Sequence, residues 1–597
     1  MDSFSSFLAL VLPHLSLDAL VALCMTSKGI QTLVLRSLRD SSCSSSSGGF
    51  LFDITSDDCC ASGIVSKLLR QSPYKRLVVS PNVTDFGLFH LGVSLALKTF
   101  PPFPKTIAEA IELDLSQCSK VTDNGIECLL NAHGSTMAVK PLRVTSLNLS
   151  GVWRITEKSI QVIGRLPSLQ RLNLSRCYKV CDTETQLGAL TALVELDLSG
   201  CSNIAMPQTL ATVMRNNPDL ESLVVDRLAT SAMNDAAWAL SSLKMNRLRK
   251  LSIQGAFGLS DSGLQVIGRI APNLISLSLC ECRNLTSLRS LGDDLLGNLE
   301  RLEVNGCRNS LLQDGVAGKL KRLKHLEYRH AELDDSLLAS LLDSLSSSSS
   351  SALRMETIAL SGNKKVSEVS SLRSLSNLKE IYLGGCEAVS PSAASELVAF
   401  LPNLRAIQLP PSTDDLVLSS IVSTQVVHLD VGKSKTITDQ ALVSLVSRQT
   451  GLESLRLDES AISDLFLSWL STSSSTSALV KLSGYGCMNT SRQAFARLAR
   501  SAPFTLKTIM DREGRIVRCT CCGWASNADD EAKWRRSCTS GTSGHRAVVK
   551  LRGGSNGHSS REAESSEWYR FASVEAPVIV LSCAVIAADW IMARGMW

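Results

Sequence analysis

Seven cysteines of this chain share one recurring context, first met in "LDLSQCSKVTDNGI" at residues 113–126. A thiol at a repeated place could serve as a metal ligand, a nucleophile or a disulfide partner, and each role needs particular companions. The seven are Cys118, Cys177, Cys201, Cys282, Cys307, Cys386 and Cys487. Each follows a Leu-x-Leu-like segment by the same interval, and other copies of that segment carry Val152, Leu228, Ala256, Ala331, Asn363, Ser412, Ser434 or Ser460 instead. A place that accepts Val, Ala and Ser as well as Cys selects a small side chain, sometimes one with a weak donor for a nearby carbonyl. The thiols therefore read as structural wedges. Neighbouring strands lie about 4.7–4.9 Å apart, which would bring Cys177 and Cys201, or Cys282 and Cys307, within disulfide reach, so this reading assumes a reducing compartment.

Other chemistry is sparse. A phosphate-cradling glycine loop and a His-Glu-x-x-His pair are both missing from the sequence. A second group, Cys519, Cys521, Cys522, Cys538, His545 and His558, does not reproduce the paired Cys-x-x-Cys spacing of a zinc knuckle. The expectation is a non-catalytic chain without metal or cofactor. A formal charge of +5 over 597 residues is mild, and Lys and Arg are scattered along the sequence, which gives nucleic-acid binding no support.

The elements that position these residues follow from repetition. Segments like the first recur with their leading apolar residue at Leu113, Leu147, Leu172, Leu196, Leu223, Leu251, Leu277, Leu302, Leu326, Ile358, Ile381, Ile407, Leu429, Leu455 and Leu482. A period near 26 residues falls in the range of leucine-rich repeats, and each unit reads as a short strand, a turn and a helix such as "NGIECLL" or "SGLQVIGRI". The expected fold is an α/β solenoid, a leucine-rich-repeat horseshoe of about 15 strand–helix units. "RLVVSPNVTDFGL", from Arg76, reads as a further irregular unit, and "NAHGSTMAVKP" and the serine run 346–351 read as insertions between a helix and the next strand. The pattern resembles the cysteine-containing subtype of leucine-rich repeats, Leu-x-Leu-x-x-Cys followed by Ile-Thr-Asp-x-Gly-Leu. The second half is matched by Val121-Thr122-Asp123, Ile155-Thr156-Glu157, Leu259-Ser260-Asp261 and Ile437-Thr438-Asp439, and the resemblance covers roughly residues 76–510.

Residues 1–40 read as a small helical module. Leu8, Val11, Leu12 and Leu15 share one apolar face, and Leu20, Leu23 and Cys24 another. The segment resembles an F-box through "LSLDAL", Leu15 to Leu20, and more loosely through "ALCMTSKGI"; Ser3 and Phe4 stand where that family opens with Leu-Pro, and its Trp is absent. Together with the repeats, the resemblance implies the substrate-recognition subunit of an SCF-type ubiquitin ligase. Its adaptor contacts would be Leu8, Val11, Leu12, Leu15, Leu17 and Leu20, docking on a Skp adaptor and through it a cullin. The plain alternative is a leucine-rich-repeat interaction scaffold whose N-terminal helices only cap the array.

Residues 41–75, including "SSCSSSSGG", read as a linker or irregular cap, and 511–597 as a mostly disordered tail with a terminal apolar helix. The apolar run from Pro577 to Ala588 falls short of the roughly 20 residues that span a bilayer, and the N-terminal run lacks the basic flank of a signal peptide. A cytoplasmic or nuclear protein is expected, with a membrane partner disfavoured. In each strand the residues flanking the apolar ones line the concave face. The densest charge mixture there is Arg301, Glu303, His325, Glu327 and Arg329, with both signs present and partial self-neutralisation expected. A partner bound there would be a protein with an acidic or phosphorylated segment, gripped by the two guanidiniums, and His325 would add charge as the pH falls toward about 6.5.

Overall fold

The computed structural model describes residues 50–54, 74–79, 81–98, 111–131, 143–181, 186–204, 208–227, 244–313, 315–346, 354–473, 478–501, 506, 508–514 and 516–518. The chain divides into two compact units, residues 1–295 and 296–597. The F-box-like module and its six leucine and valine positions lie outside the described residues. So do Leu228, the Cys/His group of the tail and the terminal apolar run.

In the first unit, strands Phe50–Ile54, Tyr74–Val79, Ile111–Asp114, Val144–Asn148, Arg171–Asn173, Glu195–Asp197, Ser222–Val224, Lys250–Ser252 and Ser276–Ser278 pair in sequence order, every pair parallel. In the second, Arg301–Glu303, His325–Glu327, Thr357–Ala359, Glu380–Tyr382, Ala406–Gln408, His428–Asp430, Ser454–Arg456, Lys481–Ser483 and Thr508–Met510 do the same. Ile516–Arg518 then folds back antiparallel on the last of them. Parallel neighbours need a crossover, and helices such as Asp123–Leu130, Asp261–Ile270, Asp439–Arg448 and Asp464–Thr472 supply it. This is the leucine-rich-repeat type of α/β solenoid.

The register follows the sequence repeat. In the first unit Leu77, Leu113, Leu147, Leu172, Leu196, Leu223, Leu251 and Leu277 are successive pairing partners. In the second the row runs Leu302, Leu326, Ile358, Ile381, Ile407, Leu429, Leu455, Leu482 and Ile509. All fifteen expected strand centres lie in these rows, each buried, and each contributes about 1.5–3 kcal/mol of apolar burial. A strand alternates sides, so the flanking polar residues stay partly exposed on the opposite face of the sheet.

Four residues past the strand centres between Leu113 and Leu482 the chain takes a left-handed turn: Gln117, Gly151, Arg176, Gly200, Arg227, Gly255 and Glu281 in the first unit, and Gly306, His330, Gly362, Gly385, Lys433, Glu459 and Gly486 in the second. Pro411 breaks the series, because its ring fixes φ near −65° and the left-handed region is closed to it. The turn there runs one residue longer. Thr413, fully buried and donating its backbone N–H to Pro410 O at 3.1 Å, occupies the small-residue column in that unit. Ser412, the residue expected there, is half-buried and donates instead to Val389 O.

The Thr-Asp pairs have a structural use. The aspartate that opens one helix accepts hydrogen bonds from the Thr or Ser preceding the next: Asp85 from Thr122, Asp123 from Thr156, Asp261 from Thr286, Asp335 from Ser367, Asp415 from Thr438 and Asp439 from Ser463. One carboxylate thereby takes a backbone N–H and a hydroxyl of the following unit and links consecutive helix starts. Gly125 shows the packing this needs. A Cβ there would lie 2.2 Å from Asp85 Oδ1, and the corresponding Ser159 uses its hydroxyl to donate to Asp123 at 2.6 Å.

Candidate functional site

The thiol column is built from the turn that follows each strand. Cys118, Cys177, Cys201, Cys282, Cys386 and Cys487 are fully buried, and each donates to a carbonyl of the preceding unit: Val79, Leu149, Leu174, Ile253, Leu360 and Leu457, at 3.0–3.6 Å. Asn363 does the same with an amide, donating to Tyr328 O at 2.7 Å and Leu360 O at 2.8 Å while accepting from Ala331 N. Burial pushes the Cys118 and Cys177 thiols up to about 12, and Cys386 to about 11. A thiol held protonated in apolar surroundings is neither nucleophile nor ligand. Among the described residues the cysteines are unbridged, and none forms a His/Cys/Asp/Glu cluster able to hold a metal.

The exposed face of the second unit holds the charged residues singled out from sequence, and the structure brings them into one network. Arg301 Nε donates to Glu303 at 2.7 Å, and its guanidinium also reaches Glu327 at 3.3 Å. Arg329 meets the other oxygen of Glu327 at 3.3 Å and lies over the Tyr382 ring, 5.3 Å from its centroid. Asn305, one of the flanking residues, accepts from the Arg329 backbone N–H at 2.8 Å. Glu327 is therefore shared by two arginines.

Within that network Arg329 Nε is buried and, among the described residues, without a hydrogen-bond partner, as is His428 Nδ1 further along the same face. His325 pairs through Nδ1 with Thr357 Oγ1 at 2.9 Å. Burial, then the Arg301 charge, hold its imidazole below the ordinary value, so the protonation expected near 6.5 moves to more acidic pH.

On the equivalent face of the first unit the flanking residues Glu112, Asp114, Glu195 and Asp197, which the sequence also places there, line a trough of about 500 Å³ that runs from Arg76 to Lys250. Arg76 pairs with Asp114 at 3.3 Å, Arg171 with Glu112, and Asn148 donates to Asp114 at 3.0 Å. The alternating Glu and Asp of "IELD" and "ELD" were the available signal, since every second residue of a strand faces one way. Charge on both faces is largely compensated within a strand or by a neighbour one or two strands away. Among the described residues no helix is long and apolar enough to cross a membrane.

No family model matches the sequence. A 214-residue stretch is 27% identical to the Caenorhabditis elegans "Putative RNA-binding protein EEED8.10", covering 35% of this chain and 28% of that protein. Among solved structures, the yeast Rad7 and Elc1 complex matches at 15% identity and a TM-score of 0.43, over 64% of this chain and 83% of that one. The Listeria monocytogenes internalin inlF matches at 17% and 0.31, over 63% and 92%. A Leptospira interrogans LRR protein matches at 14% and 0.29, over 80% and 91%. The fold assignment rests on the strand rows and turns themselves.

Proposed function

We propose that this chain is a non-catalytic receptor that captures a target protein on its exposed strand face and presents it to a separate ubiquitin-transferring module. Residues 1–40 would dock on the Skp adaptor of an SCF-type ligase, and the target would be ubiquitinated and sent to the proteasome. Holding the reactants together is the receptor's whole contribution, which requires no catalytic group and no cofactor in this chain.

The observation that carries capture is Arg329. Its guanidinium sits on the strand face with one pairing to Glu327 and a buried Nε left, among the described residues, without a partner. The side chain as a whole is 27% exposed, and a carboxylate or phosphate of a bound segment would pair with the exposed end of the guanidinium. The adaptor half rests on the F-box resemblance of Leu15 to Leu20 just ahead of cysteine-type repeats. Ser3 and Phe4 in place of the family's opening Leu-Pro favour the second reading, a scaffold with no ligase link. A cytoplasmic or nuclear location suits either reading.

Affinity purification of the tagged full chain from proteasome-inhibited cells tests the proposal. Skp adaptor, cullin and a ubiquitin-conjugated target are expected with the wild type. The Arg301→Ala/Arg329→Ala variant is expected to keep the first two and lose the third. Recovery of protein partners without adaptor would establish the scaffold reading instead.

A further inference from the structure

Beyond each strand, the turn presents two adjacent columns at its outer edge, six and seven residues past the strand centre. In the first unit the sixth place holds Trp153, Tyr178 and Phe257, which are 40%, 53% and 44% exposed. The seventh holds Lys120, Arg154 and Lys179, all exposed, from three consecutive strands. In three other units the seventh place is an asparagine that ties down the preceding turn, Asn203 donating to Tyr178 O at 2.8 Å, Asn284 to Phe257 O, and Asn489 to Ala461 O at 3.1 Å. The three cations replace that amide, so their charge projects outward.

Parallel pairing repeats these cations at about 5 Å, a spacing at which like charges repel. Among the described residues none of the three joins an ion pair. The carboxylates nearest in sequence are engaged elsewhere, Asp123 by Thr156 and Ser159, and Glu157 by the Cys181 thiol. Trp153 holds two of the cations at the surface, with Arg154 Cζ 4.9 Å and Lys179 Nζ 5.5 Å from its ring centroid. The second unit treats the same edge differently, pairing Lys364 with Glu387 at 3.0 Å.

We infer that this edge binds single-stranded nucleic acid, phosphates following the Lys120–Arg154–Lys179 row and bases stacking on Tyr178 and Trp153. A lone phosphate on a peptide would call for cations converging on one point. A row that repeats one cation per strand, with a ring beside it in two successive units, suits a polyanion carrying one charge and one planar group per residue. Its residues are different from those on which the proposed capture depends, so either can fail alone.

Fluorescence anisotropy with the full chain tests it, using labelled oligouridylate and oligothymidylate of about 12 nucleotides, with a polyglutamate peptide and a phosphoserine peptide as controls. The oligonucleotides are expected to bind, with log K falling against log salt at a slope of about −2, the value for three phosphates on a single strand. Tyr178→Ala should weaken binding about tenfold and keep the slope, while Tyr178→Phe retains affinity. Lys120→Gln/Arg154→Gln/Lys179→Gln should abolish the slope with circular dichroism unchanged. Polyglutamate or phosphopeptide binding as tight as the oligonucleotide, or an unaltered Kd in Tyr178→Ala or in the triple variant, would overturn the assignment.

Discussion

A single cysteine in this chain is best understood by what it touches. Cys201 is buried and 3.0 Å from Leu174 O, and burial raises its thiol far above the ordinary range. Cys201→Ala should cost about 1 kcal/mol, through the lost bond and a small void, whereas Cys201→Leu overpacks the turn and should cost about 1–3 kcal/mol; urea unfolding separates the two. Alkylation at about pH 8.5, the ordinary thiol value, should leave Cys118 and Cys177 unlabelled in the folded chain and label both in urea. His325 carries the opposite lesson, because its chemistry depends on neighbours that the sequence does not place. With its folded value lowered by burial and Arg301, the neutral form contributes stability above about pH 6.5, which is lost as the pH falls through the lowered value. Any tightening of an acidic partner by His325 should therefore begin below about 6.5, and an NMR titration of the ring that centred above that value would contradict this.

At the scale of elements, strand centres were legible because Leu-x-Leu recurs with one period and the register preserves it. The carboxylate link between helix starts was not: Thr122-Asp123 looks like a local cap, yet Asp123 bonds Thr156 and Ser159 one unit on. Likewise the displacement of Ser412 by Thr413 needs the left-handed turn to be known before Pro411 can be seen to forbid it. Burial opposes ionisation of Asp123, but bonds from Ser159 and Thr156 outweigh it and hold the carboxyl below the ordinary carboxylate value; Asp335 behaves alike through Ser367 and Glu368. A lowered folded value means stability present above about pH 3.9 and lost as the pH falls through the lowered value. Asp123→Ala should cost about 2 kcal/mol at neutral pH, and a double-mutant cycle with Thr156→Val should show a coupling of about 1 kcal/mol. Strict additivity would mean the contact carries no stability.

For the whole molecule, stability in a solenoid is summed from each unit and its neighbours. Ile516–Arg518 pairs with Thr508–Met510, so the place to cut is after 518. Removing residues 519–597 should leave the thermal transition unchanged, whereas removing residues from 515 onward should lower it by exposing the edge of the last parallel strand. Sequence alone also scattered Lys120, Arg154 and Lys179 over sixty residues, and only the repeat gathers them into a row. The receptor proposal stands or falls on adaptor docking, since capture without it makes the chain a scaffold. The most direct test is a calorimetric titration of purified Skp adaptor into the purified full chain, alongside Leu12→Asp and Leu20→Asp variants. A charge placed in a packed apolar interface should cost several kcal/mol. The account predicts saturable one-to-one binding that both variants abolish while the repeats' thermal transition is retained; no heat of binding with the wild-type chain would contradict it.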